Sequence, residues 1–281
     1  MQSIGVVGAG TMGLDIARTF AASGFSVLVR DISADILERA SARLKQSLEK
    51  AVSKGKLSGE AAEAIQGRLR FTTALADFQT ADLVVEAVLE DAKLKKALFQ
   101  ELDGICKAEA IFATNTSSLS ITELAASVGR RDRFIGMHFF NPVPSMALVE
   151  VVRGLDTSDE TAAAVRSLAV ALGKEPVEVR DAPGFVVNKI LIPMVNEAVV
   201  VLQEGVASAG DIDKAMRLGA NQPMGPLALA DLIGNDVVLH ILDRLFAETG
   251  DPRYRAATRL RAMVRGGLLG RKTGRGFFSY Q

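Results

Sequence analysis

The 281-residue chain is short of several things that mark particular protein classes. It holds one cysteine, Cys106, so no internal disulfide is possible, and a lone thiol without nearby Cys/His spacing makes no zinc site. Cys106 reads as a core residue of a reducing compartment. Charge of either sign is not in excess, since 33 Lys+Arg balance 33 Asp+Glu. A disordered chain would pair low hydrophobicity with high net charge, and here 48% of residues are hydrophobic at a net charge of zero. A dedicated nucleic-acid binder would be clearly basic. No uninterrupted apolar run approaches the ~18–20 residues of a membrane span, and no basic stretch leads into an apolar segment with a cleavage site. The expectation is a soluble, cytoplasmic protein with no nucleic-acid, membrane or metal partner. Its length suits one large domain or two modest ones.

What the chain does have is alternation. Ser3–Val7, Ser26–Arg30, Leu69–Thr72 and residues 81–87, 110–114 and 133–137 read as buried parallel strands. Residues 11–23, 34–54, 92–107 and 121–128 between them have helical periodicity. Strand–helix alternation implies right-handed βαβ units and an α/β fold, a doubly wound Rossmann-type sheet. The pattern changes near residue 180. Beyond Asp181-Ala-Pro-Gly184, residues 185–204, 212–218 and 226–248 read as helices with little strand signal. Pro226 suits the first turn of the last one, and Gly205 suits the position just past the first. Pro193 inside that first helix predicts a kink. The expected division is a dinucleotide-binding domain over 1–182 and an all-helical C-terminal domain over 183–281. The tail from residue 252 carries eight basic residues and no acid. In a chain of zero net charge such dispersed arginines suit a solvated or subunit-facing surface.

The sharpest local signal is Gly8-Ala9-Gly10-Thr11-Met12-Gly13, which follows a strand and opens a helix. Gly8 permits the tight turn, Gly10 lets a pyrophosphate approach the backbone, and Gly13 lets the helix pack on the strand. The N–H groups at the helix start then hold the diphosphate. Asp31 closes the second strand 18 residues later, where its carboxylate can accept from both ribose hydroxyls. A 2′-phosphate would meet that negative charge, so NAD is favoured, with NADP as a secondary cofactor. Strand alternation turns the neighbouring Arg30 to the opposite face. Asp15, just inside the helix, opposes the phosphates unless its side chain turns away.

Only two histidines occur. His240 lies in a helical pattern and reads as a packing or surface group. His138 ends a strand, where catalytic groups gather in such sheets. Glu150 stands in the apolar run Leu148-Val-Glu-Val-Val152, which would not bury a carboxylate without a partner. A histidine and a buried glutamate suit a base held in one tautomer by an acid. Between residues 43 and 56, Arg43, Lys45, Lys50, Lys54 and Lys56 face Glu49 alone. Lys50 and Lys54 lie four apart on one helical face, with Arg43 on the same side. That strip suits either a multiply charged phosphate or a solvated amphipathic helix.

Five separated motifs, in order, resemble the L-3-hydroxyacyl-CoA dehydrogenase family, in particular its bacterial 3-hydroxybutyryl-CoA branch. They are Asn115-Thr-Ser-Ser-Leu-Ser-Ile-Thr122, Gly136-Met-His-Phe-Phe-Asn-Pro-Val-Pro144, Leu148-Val-Glu-Val151, Asp181-Ala-Pro-Gly-Phe-Val-Val-Asn188 and Arg271-Lys-Thr-Gly-Arg-Gly-Phe277. The resemblance runs from residue 3 to residue 280. It implies that His138 takes the proton of the substrate 3-hydroxyl while hydride leaves C3 for the nicotinamide, and that Glu150 orients the imidazole. It places Ser117 and Asn188 around the substrate oxygen and the histidine. Glu90, Lys95, Ser117, Asn141 and Lys272 fall at NAD-contacting positions, and Lys50 and Lys54 at contacts to the phosphates of an acyl-CoA substrate. A homodimer through the apolar helix 185–204 is expected too, because a small domain has little interior for a helix apolar nearly all round. Two rival readings share the fold. One is a dehydrogenase of a free hydroxy acid, as in the gulonate-oxidising relatives, which has no need of a second basic helix. The other is a non-catalytic nucleotide-binding relative, as among lens crystallins, which has no need of the Ser117/His138/Glu150/Asn188 set.

Overall fold

Alternating β-branched and helical segments build a single eight-stranded sheet in the N-terminal part of the chain. A computed structural model describes residues 1–280. In chain order the elements are β1 (Ser3–Val7), α1 (Thr11–Ala22), β2 (Ser26–Arg30), α2 (Ala34–Ser53), α3 (Gly59–Gly67), β3 (Leu69–Thr72), β4 (Leu83–Glu86), α4 (Ala92–Ile105), β5 (Ile111–Thr114), α5 (Ile121–Ala125), β6 (Phe134–Phe139), β7 (Leu148–Arg153), α6 (Asp159–Ala171) and β8 (Glu175–Arg180). The strand order is β3-β2-β1-β4-β5-β6-β7-β8. Strands β1 to β6 run parallel, as their apolar runs predict, and helices cover their faces. Ile4, Val6, Leu83, Val85, Ala113 and Ile135 are sealed in one core with Ile16, Phe20 and Leu44 of α1 and α2.

The last two strands depart from the parallel pattern. β7 runs antiparallel to β6, and β8 is parallel to β7. β8 escapes a reading based on hydrophobic runs because Glu175-Pro-Val-Glu-Val-Arg180 is an edge strand and largely exposed. Pro176 is tolerated there because an edge strand leaves one row of N–H groups unpaired. Helices α3 and α6 likewise lie outside the predicted segments.

The chain folds into two compact units, one over Met1–Asp181 and one from Ala182 onward. The second is helical: α7 (Val187–Gln203), α8 (Ala209–Gly219), α9 (Pro226–Ile233), α10 (Asn235–Thr249) and α11 (Thr258–Arg265). The single helix expected over 226–248 is in fact two. Gly234 adopts φ +105°, a conformation open to glycine, and turns the chain between α9 and α10. The Asn235 N–H donates to the Leu269 carbonyl (3.2 Å) instead of continuing the helix, and Asp231 holds the C-terminal segment beside the break. Its buried carboxylate accepts from the N–H groups of Phe277 (2.9 Å) and Phe278 (2.9 Å), from Asn235 Nδ2 (3.0 Å) and from the Tyr280 hydroxyl (3.0 Å). The C-terminal segment is thus wrapped around one carboxylate. α7 continues through Pro193, which withholds one backbone donor from the preceding turn. Among the described residues no helix is long and apolar enough to cross a membrane.

Candidate active site

The carboxyl ends of β1, β2, β4, β5 and β6 lie along one edge of the sheet, and nearly every N-terminal candidate residue is found there. Gly8 takes φ +108°, and a Cβ on it would lie 2.5 Å from the Ala87 carbonyl. A Cβ on Gly13 would meet the Gly8 carbonyl at 1.8 Å, so helix and loop touch backbone to backbone. Around Gly10 the space is open. α1 starts at Gly10 with no side-chain cap and no acid in its first turn. Its leading N–H groups therefore face outward with a favourable dipole, a cradle that fits a diphosphate.

Asp31 ties this loop to β2. Its carboxylate accepts from the Ala9 N–H (2.7 Å) and the Ile32 N–H (2.8 Å). Asp15 does not stand as an isolated opposing charge. Burial raises its pKa, while Arg18 and Arg43 act in the other direction. Arg43 also donates to the Ala9 carbonyl at 3.3 Å. It therefore serves the glycine loop from α2 rather than extending a strip with Lys50 and Lys54. Those two lysines are exposed, Lys50 in the last turn of α2 and Lys54 immediately past its end.

A buried charge network that no sequence motif announces joins β4, α4 and β5. Glu86 is fully buried at the end of β4. It accepts from Lys95 Nζ (2.6 Å), the Thr114 hydroxyl (2.6 Å) and the Val88 N–H (2.7 Å). Lys95, only 1% exposed, also pairs with Glu90 at 3.2 Å. Glu90 in turn accepts from the Thr116 hydroxyl (2.5 Å) and from the amides of Ser117 (3.0 Å) and Ser118 (3.2 Å). Burial pushes Glu90 up, but the Lys95 charge and these donors outweigh it and hold its carboxyl below the usual range. The one signal in the sequence is a carboxylate closing an otherwise apolar strand, nine residues before a lysine on the next helix.

His138 and Glu150 meet across the sheet. They are direct partners in the antiparallel β6–β7 register, and His138 Nδ1 lies 2.7 Å from Glu150 Oε2. Both are buried. An ionised carboxylate can only accept, so this contact suits an imidazole that donates from Nδ1. Phe140 packs against the imidazole with ring centroids 4.5 Å apart. One loop further along, the Asn115 side chain accepts from the Phe139 N–H at 2.9 Å and ties the ends of β5 and β6 together. Asn141 follows on an exposed loop, before a cis peptide to Pro142.

The second unit holds the remaining candidates. Asn188 lies in the first turn of α7. Lys272 pairs with Asp236 (2.5 Å). The basic tail is largely engaged within its own unit: Arg261 pairs with Asp243, Arg253 with Asp251, and Arg271 lies over the Tyr280 ring. His240 is exposed on α10. Back in the first unit, Cys106 is buried, and desolvation pushes its thiol up to about 11, so it is a poor nucleophile.

A glycine cradle at the carboxyl edge of a parallel sheet, with an imidazole–carboxylate pair on the same edge, is the arrangement of a dinucleotide-binding domain. The family is settled by comparison with known proteins. Residues 3–182 match the model of the 3-hydroxyacyl-CoA dehydrogenase NAD-binding domain, and residues 184–280 match that of the C-terminal domain. The chain belongs to the 3-hydroxyacyl-CoA dehydrogenase family and is an NAD-dependent enzyme. It is 52% identical to a probable 3-hydroxybutyryl-CoA dehydrogenase of Deinococcus radiodurans, over 99% of this chain and 100% of the other. It is 50% identical to a 3-hydroxybutyryl-CoA dehydrogenase of Clostridioides difficile, over 99% of each. The crystal structure of the (S)-3-hydroxybutyryl-CoA dehydrogenase of Ralstonia eutropha superposes with a TM-score of 0.97 at 49% identity, covering 100% of this chain and 99% of that one.

The Lys95 network generates a stability prediction. Lys95→Met keeps the volume but strands Glu86 beneath the sheet edge, and removing one partner of a buried pair costs about 3–5 kcal/mol. Chemical denaturation at neutral pH should read that loss. In the wild type, Glu90 titrates below its unfolded value, so its contribution is complete above the ordinary carboxylate range and disappears as pH falls through the depressed value. Without Lys95 the Glu90 contribution should fade at higher pH. An unchanged denaturation midpoint would show that the network carries no stability.

Proposed function

We propose that the chain catalyses the reversible NAD-linked oxidation of the 3-hydroxyl of short-chain (S)-3-hydroxyacyl-CoA, interconverting 3-hydroxybutyryl-CoA and acetoacetyl-CoA. The observation that carries this reading is the His138–Glu150 pair, 2.7 Å apart on the sheet edge that bears the glycine cradle. Bound nicotinamide supplies the hydride acceptor. The residues handle the proton. His138 accepts it from the substrate hydroxyl at Nε2, and Glu150 holds the ring in that tautomer and stabilises the imidazolium formed. Ser117 and Asn188 orient the substrate oxygen. Gly8, Ala9, Gly10, Thr11, Met12 and Gly13 carry the diphosphate and Asp31 the ribose, while Glu90, Lys95, Asn141 and Lys272 shape the rest of the cofactor site. Because Lys95 is buried under Glu90, its part in that site is to place Glu90.

NAD is the preferred cofactor. Arg30, the group that would have to pair with a 2′-phosphate, donates instead to the Thr73 carbonyl at 3.2 Å, and the Asp31 carboxylate beside the glycine loop would repel such a phosphate. NADP is left as a secondary substrate. Lys50 and Lys54 serve the phosphates of CoA, which favours a thioester over a free hydroxy acid. The helical domain supplies Asn188 and the dimer contact: Ile190, Leu218 and Leu232 are exposed there at 67%, 74% and 48%. A buried, inert thiol suits a reducing cytoplasm.

Three measurements test this reading. His138→Gln should lower kcat for acetoacetyl-CoA reduction by ~10²–10⁴ while NADH binding survives. Glu150→Gln should also slow turnover, and the double variant should be little worse than His138→Gln, because Glu150 acts through the imidazole. Near-normal turnover in His138→Gln would sink the mechanism.

Replacing Lys50 and Lys54 together by Ala should raise KM for acetoacetyl-CoA, by roughly tenfold at most at low salt, and flatten its salt dependence. A pantetheine thioester without the nucleotide phosphates should hardly respond. Equal losses on both substrates would argue for damage to the fold instead.

Light scattering should give twice the chain mass at micromolar concentration. A monomer at every concentration would remove the dimer from the proposal.

A further inference from the structure

Lys174 is a buried ammonium group to which no part of the reaction above assigns work. It is 6% exposed and stands between α6 and β8. Its placement follows from local structure. α6 ends with Gly173 at φ +69°, where the Gly173 N–H bonds the Val170 carbonyl and the Lys174 N–H reaches back to the Ala169 carbonyl. This left-handed terminus ends the helix and reverses the chain into β8. Glu175 then pairs with Leu148, and its N–H donates to the Ala147 carbonyl at 2.8 Å. Lys174 is thereby held next to the loop that joins β6 to β7.

The ammonium makes both of its hydrogen bonds to that loop. Nζ donates to the Val143 carbonyl at 2.6 Å and to the Met146 carbonyl at 2.8 Å. Apart from the Glu175 N–H bond to the Ala147 carbonyl, the loop has few other anchors. Val143 is its one buried side chain, and residues 141, 142 and 144–147 are exposed. Its internal bonds, from the Ser145 and Met146 amides to the Pro142 carbonyl, shape the turn without attaching it to the sheet. Burial lowers the lysine pKa, so desolvation works against the charge that these two carbonyls stabilise. A buried charge costs free energy to maintain, and an apolar residue would fill the same space without that cost.

We propose that Lys174 is a positioning residue of the cofactor site, fixing the 140–147 loop so that Asn141 is presented at the same sheet edge as His138. The inference rests on the assignment of Asn141 to the NAD site made above. It predicts that Lys174 acts on cofactor binding, and on the hydride step only through it.

The test is NADH affinity, measured by fluorescence titration without substrate, beside kcat and KM for both substrates. Lys174→Met keeps length and volume but donates to neither carbonyl. It should weaken NADH binding about tenfold and raise KM for NADH in parallel, with KM for acetoacetyl-CoA within twofold of wild type. Lys174→Gln retains an N–H₂ group and should fall between the two. Val165→Ala, a core truncation on α6, controls for general loosening. It should lower Tm while leaving NADH affinity unchanged. If Lys174→Met does not fold, Lys174→Gln decides, with at least a threefold loss of NADH affinity expected. NADH affinity within twofold of wild type in the folded variants would overturn the proposal. So would an equal loss in Val165→Ala. A failure of the functional reading looks different: wild type would bind NADH yet reduce no acetoacetyl-CoA, and the Lys174 series would still be read from the titration.

Discussion

The change of strand direction between β6 and β7 is the constraint on which the proposed chemistry depends. In a parallel pair the partner strand would have to return through a crossover, and two residues twelve apart could not face one another. Antiparallel pairing across a short loop places Glu150 directly opposite His138. Both side chains then point to the same face, because residues in register share a face of the sheet. The 2.7 Å contact is therefore a property of the backbone ladder as much as of the two side chains. A slip of one residue would turn Glu150 to the other face and bring Val149 or Val151 opposite the imidazole.

That geometry explains why the loop between the strands needs anchoring. Eight residues, 140–147, separate β6 from β7, and they carry two prolines within an exposed turn. Core packing at Val143 secures the loop at one point, and the two bonds from Lys174 secure it at two more. On the other side of β6, Asn115 holds the Phe139 amide. The end of β6 and the loop that follows it are thus each held by a polar side chain from another element. Such contacts are directional where hydrophobic packing is not, so they specify orientation as well as location.

Much of the sheet edge was legible in the sequence, and particular residues show why. The glycine loop is readable because steric demands are local: a Cβ on Gly13 would collide with the Gly8 carbonyl five residues away in sequence. His138 and Glu150 are readable because a polar residue in an apolar run needs a partner, and each run contained one. β8 was not, since its exposed, alternating sequence follows from its position at the edge, which only the assembled sheet defines. The break at Gly234 was hidden by a hydrophobic period that continues from α9 into α10. What breaks the period is Gly234 at φ +105°, with the Asn235 N–H donating to Leu269, and Asp231 holds Phe277 and Phe278 of the C-terminal segment 46 and 47 residues downstream. Arg43 looked like part of a basic strip because its sequence neighbours are basic. Its hydrogen bond is to Ala9, on a different element.

The buried charges of the first unit share one logic. Glu86 closes β4 and pairs with Lys95 in α4, His138 near the end of β6 pairs with Glu150 inside β7, and Lys174 just before β8 holds two loop carbonyls. Burial of an ionised group is unfavourable unless its bonds are fully made, and each group here binds backbone or side chains from a different element. Apolar replacements would stabilise the sheet just as well in several of these places. What they would not do is hold the loops after β4, β5 and β6 at fixed distances from one another. The cofactor site proposed above draws on those three loops and would need that fixed spacing, since misplacement by an ångström is enough to slow a hydride and proton transfer substantially. Buried charge in this unit therefore links neighbouring elements in fixed orientations, and the remainder of the domain relies on packing.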